Sequence, residues 1–478
     1  MFAENLLNMD KFPSMTFRTL LLLLILGFTT AIHSQQFSKK EVLEDLRYLK
    51  FSLEDTHIDL YAHTSKEAFE SNFELMKSKV LKDSLTLLET TNLFQRVVAQ
   101  INNAHTVINF PVQSYYEFID SEGMMFPLEL VLENGKVLVR KNWSTEDRIS
   151  VGDELEKING IPIEDILQKI YPIISAERPY FKNALIESFS FPRYYWQVFG
   201  EEKVFELEIV QKGINRTYKI AAVLASRYES DRVDEDVIQQ NWKFDIHSKE
   251  IAYLRPGKFS GDLPKYQEFI DASFQKINQE RIPNLIIDLR NHPGGDDSFG
   301  DYLVSFIADK PFQWYSKFEL RTSAILKELV RKKSDTTTAY SKSILSHKDG
   351  EVFPYQWQKK HPKPQHMRFK GRVYVLVNRH SYSQSTVTSA QIQDYGFGIV
   401  VGEETAEFPN LHASIFDFEL PITKIKVRVP KGRIKRVSGI ETEQGLMPDI
   451  LIQDQLANEE DELLQYVIDH INKSKEHP

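Results

Sequence analysis

The sequence predicts an α/β core, a mostly parallel sheet flanked by helices, preceded by a β-rich module and an N-terminal helical bundle. Three observations carry that prediction. Residues 37–106 hold apolar residues at helical spacing, residues 112–225 hold short alternating runs with turn signals, and from Ile251 apolar strand-like runs alternate with helix-like ones. Strand–helix–strand order implies parallel strands with helices packed over them. The expected organisation is a leader at 1–34, a helical domain at 35–110, a β-rich domain at 111–225, a linker at 226–250 and the α/β domain at 251–478.

The helical region is marked by its caps. Ser38 is followed three residues later by Glu41, and Thr86 by Glu89, the pattern of a capping box. Phe37 and Val42 flank the first at the spacing of a hydrophobic staple. Val42, Leu46, Leu49 and Leu53 recur along one helical face. Ser65 opens a second helix with Phe69, Phe73 and Met76, and Leu93, Val97 and Ile101 lie on the face of a third. Three such helices predict a small bundle.

The β-rich region opens with Leu128-Glu-Leu-Val-Leu and Lys136-Val-Leu-Val-Arg on either side of Asn134-Gly135, a hairpin signal. Val151-Gly-Asp-Glu-Leu-Glu-Lys-Ile-Asn-Gly160 then leads into Ile161-Pro-Ile-Glu-Asp-Ile-Leu167, a strand, a turn and an amphipathic helix. That stretch resembles the "GD-x-x-x-x-IN-G" segment of PDZ domains. Residues 226–250 are polar and charged. In the core, Leu263 to Gln279 reads as a helix, Asn284 to Arg290 as a strand and Asp297 to Ile307 as a helix. Arg372 to Asn378 and Gly398 to Gly402 read as strands around a helix from Ser383 to Tyr395. Residues 312–370 have no clear period and many Lys and Arg, which fits either a structured insertion or lid or a solvated loop.

Composition narrows the function classes. Of 478 residues, 41% are hydrophobic and 27% charged, an ordinary globular mixture. The net charge of -9 weighs against nucleic-acid binding, which needs a basic face. There are no cysteines, so thiolate catalysis, disulfides and cysteine-ligated zinc are excluded. Lys11 and Arg18 precede the apolar run Leu20–Phe28, and small or polar residues follow through Ser34, the order of a secretory signal. An uncleaved anchor is the alternative, and Met15 is a second candidate start. The expectation is an exported protein, periplasmic or extracellular, with no stable membrane span once the signal is cleaved.

Two motifs carry chemistry. In Asp288-Leu-Arg-Asn-His-Pro-Gly-Gly295 a buried strand ends in two glycines just before a helix. Such glycines free backbone N–H groups to face an anion or oxyanion. A phosphate loop is the rival, but its following Lys-Ser/Thr is missing; a structural turn is another. In Asn378-Arg-His-Ser-Tyr-Ser-Gln-Ser-Thr386 a serine-rich turn joins a strand to a helix, where a hydroxyl can be held exposed at the sheet edge. A serine at a helix start is, taken alone, most often a cap.

Together these residues resemble the tail-specific (C-terminal processing) serine peptidase family. That family carries "DLRgNpGG", a strand ending in "vN", a serine-rich turn, "qDyG", "vvGexT" and "GixPD". This chain has Asp288 to Gly295, Val377-Asn378, Ser381-Tyr-Ser-Gln-Ser385, Gln393-Asp-Tyr-Gly396, Val400-Val-Gly-Glu-Glu-Thr405 and Gly445-Leu-Met-Pro-Asp449, in the same order. The resemblance implies Ser383 as nucleophile. In the best-known branch a lysine in "GexTxGK" is the base, but Phe408 stands at that position here. The tricorn-like branch, which lacks that lysine, uses a histidine from an upstream "dgHt" segment. Asn102-Asn-Ala-His-Thr106 matches it, so the resemblance implies His105 as base. That branch orients the histidine with a glutamate near "GixPD"; here Thr442 stands at the usual place, Glu441 and Glu443 flank it, and Glu441 is preferred.

The resemblance further implies an oxyanion hole from the amides of Gly294 or Gly295 and of Gln384. His57, His292 and His380 read as structural or surface residues, Asp288 and Arg290 as braces of the strand end, and Asp394 as a partner at its helix end. The implied activity is hydrolysis of peptides or unfolded protein tails, with no metal or cofactor. A catalytically inactive binding protein on the same scaffold is the alternative.

Overall fold

The computed structural model of the chain describes residues 35–232, 237–238, 241–457 and 460–476. The expected leader, 1–34, lies outside the described residues.

The centre is a six-stranded sheet in the order Lys243–Ser248, Ile251–Arg255, Asn284–Asp288, Arg372–Val377, Ile399–Gly402, Ile450–Leu451. The first pair is antiparallel and the others are parallel. Alternation along each strand divides the side chains between two cores. Leu285, Ile287, Val373 and Val375 face the helices Leu263–Glu280 and Asp297–Val304. Ile286, Tyr374 and Leu376 face the other way, against Leu463 and Val467 of the helix Glu462–Glu476. Both faces are covered, which is why these strands read as unbroken apolar runs.

An antiparallel sheet of Leu128–Glu133, Lys136–Asn142, Glu154–Ile158, Val204–Gln211 and Ile214–Ala221 forms a second layer. Its Asn134-Gly135 and Asn159-Gly160 turns have positive φ at both positions, 54° and 74° in the first and 52° and 75° in the second. Asparagine and glycine are the residues that tolerate this geometry. The helices Ile163–Ile170 and Phe191–Phe199 close its core.

The front helices Lys39–Thr56, Lys66–Ser78 and Leu87–Ala99 carry both capping boxes. They do not close on themselves as a separate bundle. Val42, Leu46, Phe69 and Val97 share one core with Phe418, Val427 and Val429 of the strands His412–Glu419 and Lys426–Lys435 and with Leu420 just after the first of them. An amphipathic stripe specifies that a face must be buried and leaves open against what.

One other expectation changes, and one open alternative closes. Residues 226–250 are not a plain linker: Ala225–Arg232 is helical and Lys243–Ser248 is the edge strand of the central sheet. Residues 312–370 are a structured insertion. Lys317–Arg321 and Val352–Pro354 join the sheet of Lys426–Lys435, and the helices Ala324–Lys333 and Ala339–Ser346 lie between them. Among the described residues, no helix is long and apolar enough to cross a membrane.

Candidate active site

Ser383 sits where the strand Arg372–Val377 turns into the helix Gln384–Tyr395. The turn is fixed from within. The Asn378 side-chain oxygen accepts the backbone N–H groups of Asn291 and His380, each at 3.0 Å. Ser381 donates its hydroxyl to the Leu289 carbonyl at 2.7 Å, and Ser385 donates to the same carbonyl at 3.3 Å. Both flanking serines are thereby engaged. Ser383 itself has φ 55° and ψ -130°, and its side chain makes no cap hydrogen bond. A non-glycine residue held there costs ~1–3 kcal/mol, a strain that persists only where surrounding structure enforces it.

The two glycines let this turn lie against the end of strand Asn284–Asp288. A Cβ on Gly294 would stand 2.6 Å from the Gln384 nitrogen and 2.7 Å from the Ser383 Cβ. A Cβ on Gly295 would stand 2.0 Å from the Phe259 carbonyl oxygen. No side chain fits at either position.

The His105 segment reaches Ser383 because Val107–Ile108 pairs with Val427 and Arg428. Asn103 shapes the turn: its side-chain oxygen accepts the Thr106 hydroxyl at 2.8 Å and the His105 N–H at 3.2 Å. His105 Nε2 then lies 3.2 Å from Ser383 Oγ, and Nδ1 lies 3.0 Å from Glu407 Oε1. The Nδ1 contact is close but off the line of a well-aligned hydrogen bond. The other Glu407 oxygen accepts the backbone N–H of Ser383. With the carboxylate at Nδ1, that nitrogen carries the proton and Nε2 is left to accept from the serine.

Glu407 is buried, as its 1% side-chain exposure shows. Burial alone would push the His105 imidazole down, but the Glu407 carboxylate 3.0 Å from Nδ1 and the Glu177 charge outweigh it and raise the histidine above its ordinary value. Glu177 is a second buried carboxyl. Burial, then the Glu407 charge, raises it to about 7.

The sequence-derived residues thus separate. Ser383 and His105 come together. Glu441 does not join them: it is exposed and pairs with Lys435 Nζ at 2.8 Å. Glu443 is exposed on the same loop. The carboxylate facing His105 is Glu407, which sequence reasoning missed. Its signal was present, since Glu407 directly precedes Phe408, the residue at the expected lysine position. Phe408 is buried against His63 and Arg178.

The glycine amides also separate. The Gly294 N–H donates to His292 Nδ1 at 3.0 Å and so is engaged. The Gly295 and Gln384 N–H groups have no acceptor among the described residues. Both residues line a cleft of ≈ 290 Å³ with Ser383 and His105, walled by Trp314, Phe318, Leu411 and Ile434.

The remaining candidates have structural partners. His57 bonds to Thr106 Oγ1 at 2.9 Å and burial lowers it to about 3; burial likewise lowers His292 to about 4. His380 pairs with Glu187 at 2.7 Å. Arg290 ties Asp288 to Asp461, and Arg436 holds Asp394.

Comparison with known proteins agrees with this architecture. Residues 250–452 match the sequence profile of peptidase family S41. The chain resembles the structure of mature CPAF complexed with lactacystin at a TM-score of 0.64 and 15% identity, over 91% of this chain and 98% of that one. The crystal structure of mature CPAF gives 0.63 and 16%, over 91% and 96%. At such identities the likeness is one of fold. Residues 250–452 are therefore a peptidase family S41 domain, and the enzyme is a serine-type peptidase.

Proposed function

We propose that the chain is an exported endopeptidase of the tricorn-like kind, without the lysine base, that hydrolyses peptides or unfolded protein tails through Ser383, His105 and Glu407. The observation that carries the reading is His105 with Nε2 3.2 Å from Ser383 Oγ and Nδ1 3.0 Å from the buried Glu407. Serine is inert at neutral pH without a base at this distance.

The reaction follows from the geometry. Ser383 Oγ attacks the substrate carbonyl carbon as its proton passes to His105 Nε2. Glu407 stabilises the imidazolium that forms. The carbonyl oxygen, now an anion, is received by the Gly295 and Gln384 N–H groups, which are fixed before substrate arrives. His105 returns the proton to the leaving amine as the C–N bond breaks, leaving an acyl group on Ser383. Water, deprotonated by His105, then releases the acid and regenerates the serine.

Support for a peptide substrate comes from the family S41 match and from the apolar cleft wall beside Ser383. The antiparallel sheet with its Asn159-Gly160 turn fits a PDZ-like module, whose groove would take an extended peptide as an added strand. Labelling with a fluorophosphonate, followed by peptide mapping, tests the reading. The adduct is expected on Ser383. An unlabelled, folded protein that cleaves no peptide would instead favour an inactive binding protein.

A further inference from the structure

The residues that precede the three members of the site pack together. Ala104 stands before His105, Tyr382 before Ser383 and Ala406 before Glu407, and all three join one apolar cluster with Ala176, Phe181 and Ala184. The Phe181 and Tyr382 rings are 5.6 Å apart between centroids. The last three cluster residues lie between the strands of the antiparallel layer in sequence, well before the peptidase domain begins.

Polar anchors come from the same segment. Glu177 Oε1 accepts the Ala104 N–H at 3.0 Å and an Asn103 side-chain N–H at 3.3 Å. Arg178 Nη2 donates to the Thr405 carbonyl at 2.9 Å and the Ala406 carbonyl at 3.1 Å, and it pairs with Glu404 at 2.7 Å. Tyr180 donates its hydroxyl to the Glu404 carbonyl at 3.1 Å.

We propose that residues 176–184 are a positioning keystone for the peptidase site: Glu177 fixes the backbone entering His105, Arg178 the backbone entering Glu407, and Phe181 the backbone entering Ser383. The proposal rests on the Ser383–His105–Glu407 reading. It accounts for a feature the chemistry does not use. A carboxyl and a guanidinium, adjacent in sequence, are directed not at substrate but at the turns that carry base and carboxylate. Displacing a catalytic group by about 1 Å costs ~10²-fold in rate, so anchors of this kind act on turnover more than on binding.

Charge gives a second readout. His105 is faced by Glu407, Glu177 and Arg428, with His412 nearby, and Glu177 is faced by Glu407 and His105. Above about pH 7, where Glu177 is ionised, its charge favours the imidazolium, so losing it lets the neutral, active imidazole persist to lower pH. Glu177→Gln removes that charge yet keeps an oxygen to accept the Ala104 N–H. Glu177→Ala removes both.

The test uses the mature full-length enzyme, a peptide substrate and fluorophosphonate titration of active serines, with circular dichroism to confirm folding. Arg178→Ala is expected to lower kcat by about tenfold or more with KM changed by less than about twofold, and Arg178→Lys to recover part of the loss. Glu177→Gln should keep the plateau kcat and move the acid limb of the pH profile downward, whereas Glu177→Ala should lose the plateau as well. Wild-type kcat in both alanine variants, or an unmoved acid limb in Glu177→Gln, overturns the keystone while leaving the peptidase reading intact. Should Arg178→Ala not fold, the Glu177→Gln limb still decides. A wild-type enzyme that neither labels nor cleaves overturns the peptidase reading and the keystone with it.

Discussion

Glu407 accepts the backbone N–H of Ser383, 24 positions before it in the chain. With its other oxygen at His105 Nδ1, this one buried carboxylate holds the Ser383 turn and faces the His105 ring at once. As the residue that caps the helix Gln384–Tyr395, Ser383 has an N–H with no partner inside the helix, and Glu407 supplies its acceptor.

Glu407→Gln should therefore lower kcat/KM by ~10²–10⁴, because the amide neither stabilises the imidazolium nor fixes its tautomer. Glu441→Gln, at an exposed site paired with Lys435, should stay within about twofold of wild type. Steady-state kinetics on the two variants checks this. The reverse ranking would return the orienting role to Glu441.

Among the three serines of the turn, only Ser383 has its hydroxyl directed to His105. Ser383→Ala should abolish peptide hydrolysis and labelling with the fold intact. Ser381→Ala and Ser385→Ala each remove a bond to the Leu289 carbonyl, costing about 1 kcal/mol of stability while some activity remains. Thermal melts beside activity assays separate the effects. An active Ser383→Ala with an inactive Ser385→Ala would move the nucleophile.

How much of this was legible in sequence varies by residue. Ser383 and His105 were named from the resemblance of their motifs to the tail-specific peptidase family, and the structure places them 3.2 Å apart. The central strands were legible, because burial on both faces leaves unbroken apolar runs. Glu407 was not, since what makes it the orienting carboxylate is a long-range contact to residue 105 across the domain. Engagement of the Gly294 amide by His292 was equally hidden, as it depends on which way an imidazole points. The front helices were found with their caps, but their partner strands at 412–435 lie more than three hundred residues away in the numbering.

The pH profile should carry the signature of His105. Burial opposes its charge, yet Glu407 and Glu177 raise it above the ordinary 6.5. Its neutral form is the base, so kcat/KM should rise with pH through a midpoint above 6.5. The sign for stability is opposite: a raised histidine stabilises the fold below its unfolded value, and that contribution is lost as pH rises through the folded one. Glu407→Gln should shift the residual activity's limb downward. A limb at or below 6.5 in the wild type would contradict the ion pair.

Export predicts a processed N-terminus. Under the proposed export, the order of Lys11, Arg18 and the Leu20–Phe28 run predicts cleavage near Ser34. Mass spectrometry of the secreted protein should find a chain starting near Gln35. Intact protein beginning at Met1 or Met15 and retained in the cytoplasm would contradict it.

The final prediction separates the chemistry of the front segment from its packing. His105→Ala removes one imidazole at the mouth of the cleft. It should slow acylation by several orders of magnitude, leave residual catalysis from the Gly295 and Gln384 amides, and barely change the melting temperature. Deleting residues 35–110 removes the same histidine but also uncovers Phe418, Leu420, Val427 and Val429, each of which is buried against the front helices. Exposing a buried side chain of this size costs ~1.5–3 kcal/mol, so four together approach the whole stability of a typical domain. The deletion also strips Val107–Ile108 from the strand Lys426–Lys435. The truncated chain should therefore be inactive because it is unfolded or aggregated, whereas His105→Ala should be inactive and folded. Circular dichroism and sedimentation on the two proteins decide between these. A truncated chain that melts cooperatively near the wild-type temperature would show the front to be a separable bundle after all, and near-normal turnover in His105→Ala would remove His105 from the reaction.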